Sequence, residues 1–473
     1  MVLGGGAAGL VASVSAAAVG ARVALVEESE QPGGDCLFTG CVPSKSMIAS
    51  AKLAHGMRTA GELGLEPHEP EIDFARVMER VQRVIGEAAR RDTPESLREK
   101  GVEVVRARGR FAGPGLVRAG ERELAYRTAI VATGSVPALP PIPGLERSGA
   151  LTSETVWDLR ERPHRLAVLG GGPVGVELAQ AFARLGSRVE IVESSDRLLP
   201  VEEPEAGRLV EEVLSSEGVA VHTGARVESV EPSPVGAGRL VAGELSVDYD
   251  RLLVAVGRSH RTEDLGLETV GVQVGGDGAL KVDDRLRTTG DRIWAAGDVV
   301  GRLYFTHVAG MHGLIAMANA LFRVRRGIEG ETVPWVTFTD PEVARVGLCE
   351  KQARQRLGYE PTVLHHDLAE SDRALTAGET NGFAKLVSDR RGRLLGATVV
   401  APAAGESIAE LTRAVNTQGK VSSISQTVHA YPTFSEAPAR AADGWWHRRY
   451  LNPRGRRLLR PLLAVLRVVD HPR

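Results

Sequence analysis

The chain has 473 residues, 43% of them hydrophobic, and a formal net charge of −2. That length allows about three to four domains with sizeable cores rather than a disordered chain, and the near-neutral balance gives no global footprint for nucleic acid. Only 3 cysteines occur, which excludes a disulfide-stapled scaffold and fits a reducing, cytoplasmic compartment.

Met1-Val2-Leu3 reads as a first strand, shorter than the usual run of about five residues. Either the strand is short or the start of the chain is placed a few codons late. It leads into Gly4-Gly5-Gly6-Ala7-Ala8-Gly9, which matches G-x-G-x-x-G at Gly4, Gly6 and Gly9. A helix to about Ala18 follows, stopped by Gly20, and Arg22 to Val26 forms a second strand ending at Glu27. Strand, motif, helix, strand and terminal acid in this order form a dinucleotide fingerprint. The glycines let the backbone turn and approach a pyrophosphate at the helix N-terminus, and Glu27 stands where ribose hydroxyls are held. The apolar stretch from Ala7 to Val26 is not a signal peptide. No basic residue precedes it, and Gly20, Ala21 and Arg22 interrupt it. No uninterrupted apolar run of about 18 residues occurs, so no spanning helix is expected.

Next comes Gly33-Gly34-Asp35-Cys36-Leu37-Phe38-Thr39-Gly40-Cys41-Val42-Pro43-Ser44-Lys45. Closing so short a loop with a disulfide removes little unfolded-state entropy, so a redox role is expected for Cys36 and Cys41. No second Cys/His pair at ligand spacing follows, which argues against zinc. Thr128 to Gly134, containing Ala132-Thr133-Gly134, reads as a returning strand.

A second fingerprint begins with the apolar strand Arg165 to Leu169. Gly170, Gly172 and Gly175 follow, then a helix to Leu185 stopped by Gly186, and a strand Val189 to Val192 ending at Glu193. An acid there binds an unmodified ribose and repels a 2′-phosphate. Ser194, Ser195 and Asp196 supply no early basic pair, so NAD is favoured over NADP, with Arg197 the nearest cation in sequence. Leu252 to Arg258, including Gly257, repeats the returning strand. Ile293 to Asp298 is a further strand ending on an acid; Asp298 taken alone would be a turn residue or cap.

Cys349 reads as a small filler before a helix, and His365-His366 as a strand end rather than metal ligands. No metal site is expected. The tail beyond Arg440 carries Trp445, Trp446 and the arginines 448, 449, 454, 456, 457, 460 and 467. Pro461 suits a helix N1 position. From there Leu462, Leu463, Leu466 and Val469 share one face, opposite Arg460 and Arg467. Such a segment either lies on an anionic membrane surface, packs as an extra helix on a dimer, or is a solvated tail.

Taken together, these motifs resemble the class I pyridine nucleotide-disulfide oxidoreductases, the family of dihydrolipoyl dehydrogenase, glutathione reductase and mercuric reductase. The resemblance covers Val2 to about Arg440. It implies an α/β fold with two Rossmann-like nucleotide-binding domains, for FAD and NAD, and an α+β C-terminal dimerisation domain. The implied boundaries are 1–144 for the first part of the FAD domain, 145–260 for the NAD domain, 261–330 for a central domain completing the FAD site, 331–440 for the interface domain and 441–473 for a basic extension. The implied partners are FAD, NADH and a second copy of the chain. Gly34, Ala132, Thr133, Gly134 and Asp298 would join the first fingerprint in holding FAD, with Asp298 on the ribityl chain, and Gly257 would join the second in holding NADH. Lys45 matches a lysine near flavin N5, and Glu177 the acid that pairs with it. Electrons would pass from NADH through FAD to Cys36–Cys41, with Cys41 the charge-transfer thiolate and Cys36 the interchange thiol. The acceptor would be a disulfide, a metal ion or a quinone. The alternatives are dihydrolipoyl dehydrogenase proper, a mercuric reductase-like metal reductase, and a flavoprotein redox sensor that does not turn over.

One position departs from that pattern. In Val428-His429-Ala430-Tyr431-Pro432-Thr433-Phe434-Ser435-Glu436, the family's histidine before proline, paired with the glutamate, is replaced by Tyr431. Tyrosine has a reference pKa of about 10 against about 6.5 for histidine, so it is a poor general base at neutral pH. In extended backbone His429 faces the same way as Tyr431 and is the substitute by reach, or else an interface core residue. Glu436 is retained without its partner. Mercuric reductase-like relatives also place tyrosine near the substrate, but they deliver metal through a C-terminal cysteine pair, and this chain has no cysteine after Cys349.

Overall fold

Two residues, Val2–Leu3, suffice as the central strand of the first sheet because the ladder continues past them on both sides. Ile130 N donates to Met1 O at 3.0 Å, Ala132 N to Leu3 O at 2.7 Å and Gly4 N to Val26 O at 2.8 Å. The computed structural model describes residues 1–233, 237–328 and 332–469. Its first sheet is wholly parallel, in the order Ile293–Ala295, Ala129–Val131, Val2–Leu3, Val23–Glu27, Val102–Arg106. Such a sheet is covered on both faces and needs near-continuous apolar strands; Leu3, Leu25, Val26, Ile130 and Val131 are all buried. The helices Ala7–Ala18 and Thr306–Phe322 pack on each other beside it.

The second fingerprint repeats this plan. Its parallel sheet has the order Ala220–His222, Arg188–Val192, Arg165–Leu169, Arg251–Val254, with the helix Pro173–Arg184 after the glycines. Small antiparallel sheets, Gly109–Ala125 and Ser229–Tyr249, are inserted in each half. The strands expected at Thr128 to Gly134 and Leu252 to Arg258 end earlier, at Val131 and Val254, with one further ladder bond each from Ala132 N and Ala255 N.

The chain divides into two compact units. Both fingerprints lie in the first, Met1–Arg58, His68–Leu198 and Leu214–Gly330. The second takes Thr59–Pro67, Leu199–Val213 and Glu331–Arg473. Within it, a five-stranded antiparallel sheet runs Pro334–Thr337, Glu342–Gly347, Leu394–Ala401, Phe383–Ser388, Thr362–Asp367, covered by the helices Ala404–Asn416 and Glu436–Arg449. Cys349 is buried and caps the helix Glu350–Leu357, sharing a capping box with Gln352. His365 stacks on Phe383 and His366 contacts Ser371 at 3.2 Å, so both serve strand packing.

The tail differs from the expectation at Pro461. The last helix begins at Pro453 and runs through Pro461 to Val469. Asn452 Oδ1 accepts from Gly455 N at 2.8 Å, so an asparagine cap followed by proline starts the helix one residue after Asn452, the arrangement favoured at helix N-termini. Trp445 packs against the core of the second unit, not outward. Leu463, Val465 and Leu466 are exposed, as are Arg457, Arg460 and Arg467. The side chains of Arg454, Arg456, Leu462 and Val469 lie outside the described residues. No helix among the described residues is long and apolar enough to cross a membrane.

The second unit is pinned by a buried charge cluster. Lys385 stands in the strand Phe383–Ser388, every residue of which is buried. Its Nζ lies 2.9 Å from Glu350, 3.0 Å from Glu205 and 3.2 Å from Glu203. These carboxylates raise its pKa against the opposing effect of burial. Lys385→Met is expected to destabilise the protein by about 3–5 kcal/mol, because Glu203, 2% exposed, would be left buried and unpaired. The urea midpoint of the purified protein measures this.

Candidate active site

Both fingerprints show the same division of labour among their glycines. Gly4 and Gly170 have φ of +100° and +112°, and a Cβ there would lie 2.3 Å from Ala132 O and 2.5 Å from Ala255 O. A Cβ on Gly9 would lie 1.8 Å from Gly4 O, and one on Gly175 2.0 Å from Gly170 O. The helix therefore rests on the turn that precedes it. By contrast a Cβ on Gly6 would meet nothing closer than Gly34 Cα at 3.9 Å, and one on Gly172 nothing within 4 Å. These second glycines leave open backbone at a helix N-terminus, which fits a pyrophosphate in each half.

The acids that close the fingerprints are held by the same loops. Glu27 accepts from Gly5 N at 2.5 Å and Ser29 N at 2.8 Å. Glu193 accepts from Gly171 N and Ser195 N, each at 2.6 Å. Burial pushes the Glu193 carboxyl up, but the Ser195 and Gly171 amides outweigh it and hold the group below the usual carboxylate range. An ionised carboxylate at that strand end suits ribose hydroxyls and repels a phosphate. Arg197 lies beside Asp196, its Nη1 3.3 Å from Oδ1.

The redox segment is seated directly on the first fingerprint. Gly33 N donates to Gly5 O at 2.8 Å, and Gly34, at φ +63°, approaches so closely that a Cβ would lie 2.7 Å from Gly6 Cα. Cys36 lies in the short helix Gly34–Phe38 and Cys41 opens the helix Cys41–Thr59. Lys45, one turn further along that helix, donates to Glu177 Oε2 at 2.7 Å; Glu177 comes from the second fingerprint's helix, Pro173–Arg184.

The two sulfurs are not equivalent. A hydrogen bond from Cys36 is the main cause that draws the Cys41 pKa down to about 6, with Thr306 and Lys45 adding to it against burial and Glu177. The same bond, with burial, pushes the Cys36 thiol up. Both shifts favour the proton on Cys36 over Cys41.

Around the open backbone stand the other expected cofactor residues. Thr133 Oγ1 donates to Arg261 O at 2.7 Å. Gly134 and Gly257, at φ +74° and +129°, border open space. Asp298 accepts from Ser135 Oγ at 2.6 Å and is raised by burial, partly offset by Ser135 and Arg258. Four residues not expected from the sequence, Asp35, Ser135, Arg258 and Thr306, join this group. Arg258 pairs with Asp35, beside Cys36, and its Nε donates to Ser135 Oγ at 2.6 Å. Thr306 Oγ1 lies 3.5 Å from Cys41 Sγ. No local motif signals Thr306; Asp35, a charge abutting a reactive cysteine, is the one the sequence could have flagged.

The C-terminal trio is in the second unit, and each member has its own partner. His429 Nε2 lies 2.7 Å from Glu410 Oε2 and its Nδ1 2.9 Å from Thr427 O. Tyr431 donates to Asp372 Oδ2 at 2.6 Å, and that bond raises its pKa further. Glu436 pairs with Arg440 one turn along its helix, at 2.5 Å.

Comparison with known proteins follows this division. Residues 1–313 match the family model described as pyridine nucleotide-disulphide oxidoreductase, and residues 333–442 match its dimerisation domain, which indicates a homodimer. The chain is 37% identical over 455 residues to a mercuric reductase of Streptomyces lividans, covering 93% of this chain and 95% of that one. It is 36% identical to a dihydrolipoyl dehydrogenase of Thermus scotoductus, covering 94% and 96%. Among solved structures it is similar to the Cu(II) complex of the HOCl-induced flavoprotein disulfide reductase RclA of Escherichia coli, with a TM-score of 0.83, 29% identity and coverage of 92% and 98%. It is likewise similar to LpdA of Mycobacterium tuberculosis, with a TM-score of 0.85, 31% identity and coverage of 94% and 99%.

Two outcomes follow from the geometry. Gly6→Val fills the open side of the first fingerprint and is expected to yield protein without bound flavin. Gly172→Val is expected to keep the flavin and lose NADH binding; flavin absorbance and NADH titration read the two separately. In the reduced protein, long-wavelength flavin–thiolate absorption is expected to fade as pH falls through about 6, as Cys41 takes up a proton. Cys36→Ser should show that absorption without reductant and Cys41→Ser should not.

Proposed function

Because the chain belongs to the pyridine nucleotide-disulphide oxidoreductases, NAD(P)H-dependent flavoprotein enzymes that use FAD, we propose that it oxidises NADH and passes two electrons through Cys36 and Cys41 to thiophilic metal ions, either one Hg(II) or two Cu(II) reduced to Cu(I). Bound FAD supplies the two-electron relay between the nicotinamide and the sulfurs. Gly4, Gly6, Gly9, Glu27, Gly34, Ala132, Thr133, Gly134 and Asp298 would hold it, and Gly170, Gly172, Gly175, Glu193 and Gly257 would hold NADH. Lys45, fixed by Glu177, keeps positive charge beside Cys41. Cys36 carries the proton and meets the acceptor.

The observation that carries the choice of acceptor is the Tyr431–Asp372 hydrogen bond, 2.6 Å. Reduction of a disulfide consumes a proton: NADH, H⁺ and R–S–S–R give NAD⁺ and two thiols. Reduction of Hg(II) does not: NADH and Hg(II) give NAD⁺, H⁺ and Hg(0). A tyrosine whose pKa is raised by its carboxylate partner is a poor proton shuttle, which is tolerable only in the second reaction. Thiolate is also the preferred ligand class for soft metal ions. The names of the mercuric reductase and of the copper complex point the same way.

A second reading rests on His429. Its ring lies between Thr427 O and Glu410, so a histidine–carboxylate pair survives two residues from the expected place. If that pair serves the thiols, the chain is a dithiol dehydrogenase.

Steady-state rates of the purified enzyme with lipoamide, oxidised glutathione, Hg(II), Cu(II) and quinones decide between them. Metal turnover is expected to exceed lipoamide turnover, with a lower KM for NADH than NADPH. Tyr431→His is expected to raise lipoamide turnover by about tenfold to a thousandfold, since general base catalysis is worth ~10²–10⁴. Fast lipoamide turnover in the wild type, lost in His429→Gln, would establish the second reading instead.

A further inference from the structure

The helix Thr306–Phe322 starts without a side-chain cap, because Phe305 occupies the N-cap in extended backbone. Threonine is favoured one position earlier, where its oxygen accepts from a backbone N–H of the first turn. Here it stands inside the first turn, and its hydroxyl lies 3.5 Å from Cys41 Sγ across 265 positions of sequence. Packing holds both ends of that contact. Gly313, on the same helix as Thr306, approaches the first fingerprint helix so closely that a Cβ would lie 2.3 Å from Ala8 O. At the other end, the redox segment is seated on the same fingerprint through Gly34 and Gly6.

We propose that Thr306 is a catalytic residue of thiol reduction: its hydroxyl donates to Cys41 Sγ as that sulfur gains charge, and so stabilises the thiolate there. The proposal rests on Cys36 and Cys41 being the redox pair. Reduction of their disulfide takes up two electrons, from NADH oxidation, and one proton. The S–S bond breaks, the proton goes to Cys36, and the remaining electron pair stays on Cys41. A disulfide sulfur accepts hydrogen bonds weakly, whereas hydrogen bonds to a charged acceptor are roughly twice as strong as neutral ones. The Thr306 bond therefore strengthens as charge develops on the sulfur.

The other groups that act on Cys41 come from three elements: Cys36 on the helix Gly34–Phe38, Lys45 on its own helix, and Glu177 on the helix Pro173–Arg184. Lys45 and Glu177 oppose each other in charge and are bonded together. Thr306 adds a neutral donor that does not titrate in the working range, so its effect persists at every pH where the enzyme operates. It acts in the same direction as Lys45 and against burial.

The test compares Thr306→Val, which keeps the branched shape and loses the O–H, with Thr306→Ser, which keeps the O–H. In the reduced holoenzyme, the pH midpoint of the flavin–thiolate absorption and of iodoacetamide alkylation at Cys41 is expected to rise by about half to one pH unit in Thr306→Val. That is about threefold to tenfold less thiolate at the low-pH end. Thr306→Ser is expected to retain the wild-type midpoint. If Thr306→Val folds poorly, Thr306→Ala is expected to show the same rise. Unchanged midpoints in the Val and Ala variants, or a Ser variant shifted as far as Val, would overturn the role of Thr306 alone. A wild type with no thiolate absorption at any pH would overturn the redox-pair reading along with it.

Discussion

The close approach of a helix to the turn that feeds it governs the first unit. Where a Cβ on Gly9 would sit 1.8 Å from Gly4 O, and one on Gly175 2.0 Å from Gly170 O, no side chain fits. The helix consequently begins on the strand end, with its first N–H groups turned toward open backbone at Gly6 and Gly172. Everything chemical is placed from there. The terminal acids Glu27 and Glu193 fold back onto the same loops. The redox segment docks through Gly34 onto Gly6, and Cys41 enters its helix beside the nucleotide cradle. An alanine at Gly34 would collide with Gly6 and shift the cysteine segment against the first fingerprint.

Charge in the molecule is used in two ways. Lys385 is buried among Glu203, Glu205 and Glu350, where its role is to fix packing, since a desolvated ion with three partners has little freedom to move or react. Lys45 is paired with Glu177 and remains a third exposed. Its charge is therefore oriented but not consumed, and it reaches Cys41. The Cys41 pKa is lowered by several effects acting together, first the Cys36 thiol, then a hydroxyl and an ammonium, opposed by burial and a carboxylate.

The C-terminal segment is where the chain departs from the family's usual pattern. Asp372 accepts the Tyr431 proton in a hydrogen bond and makes the phenol harder to ionise. Glu436, which would orient a histidine, is engaged by Arg440 instead. Transfer of electrons to a soft metal ion, the acceptor proposed above, would need no proton delivered to it. A disulfide acceptor would depend on His429 and Glu410.

The amino-acid order alone determined the two fingerprints, the acids at Glu27 and Glu193, the reactive cysteine pair and the Lys45–Glu177 pairing implied by the resemblance. Each of the first three is a local pattern: a strand, a turn that only glycine can make, a helix, or a short loop between two sulfurs. Such features are set by neighbours along the chain, and so they can be read there. Tertiary structure alone brought Thr306 to Cys41 across 265 positions. It alone joined Asp35 to Arg258 and enclosed Lys385 among three carboxylates. It also settled the tail, where Pro461 reads locally as a helix start but lies inside a helix begun at Pro453. These outcomes depend on which surfaces meet after the helices dock, and no periodicity or spacing encodes that.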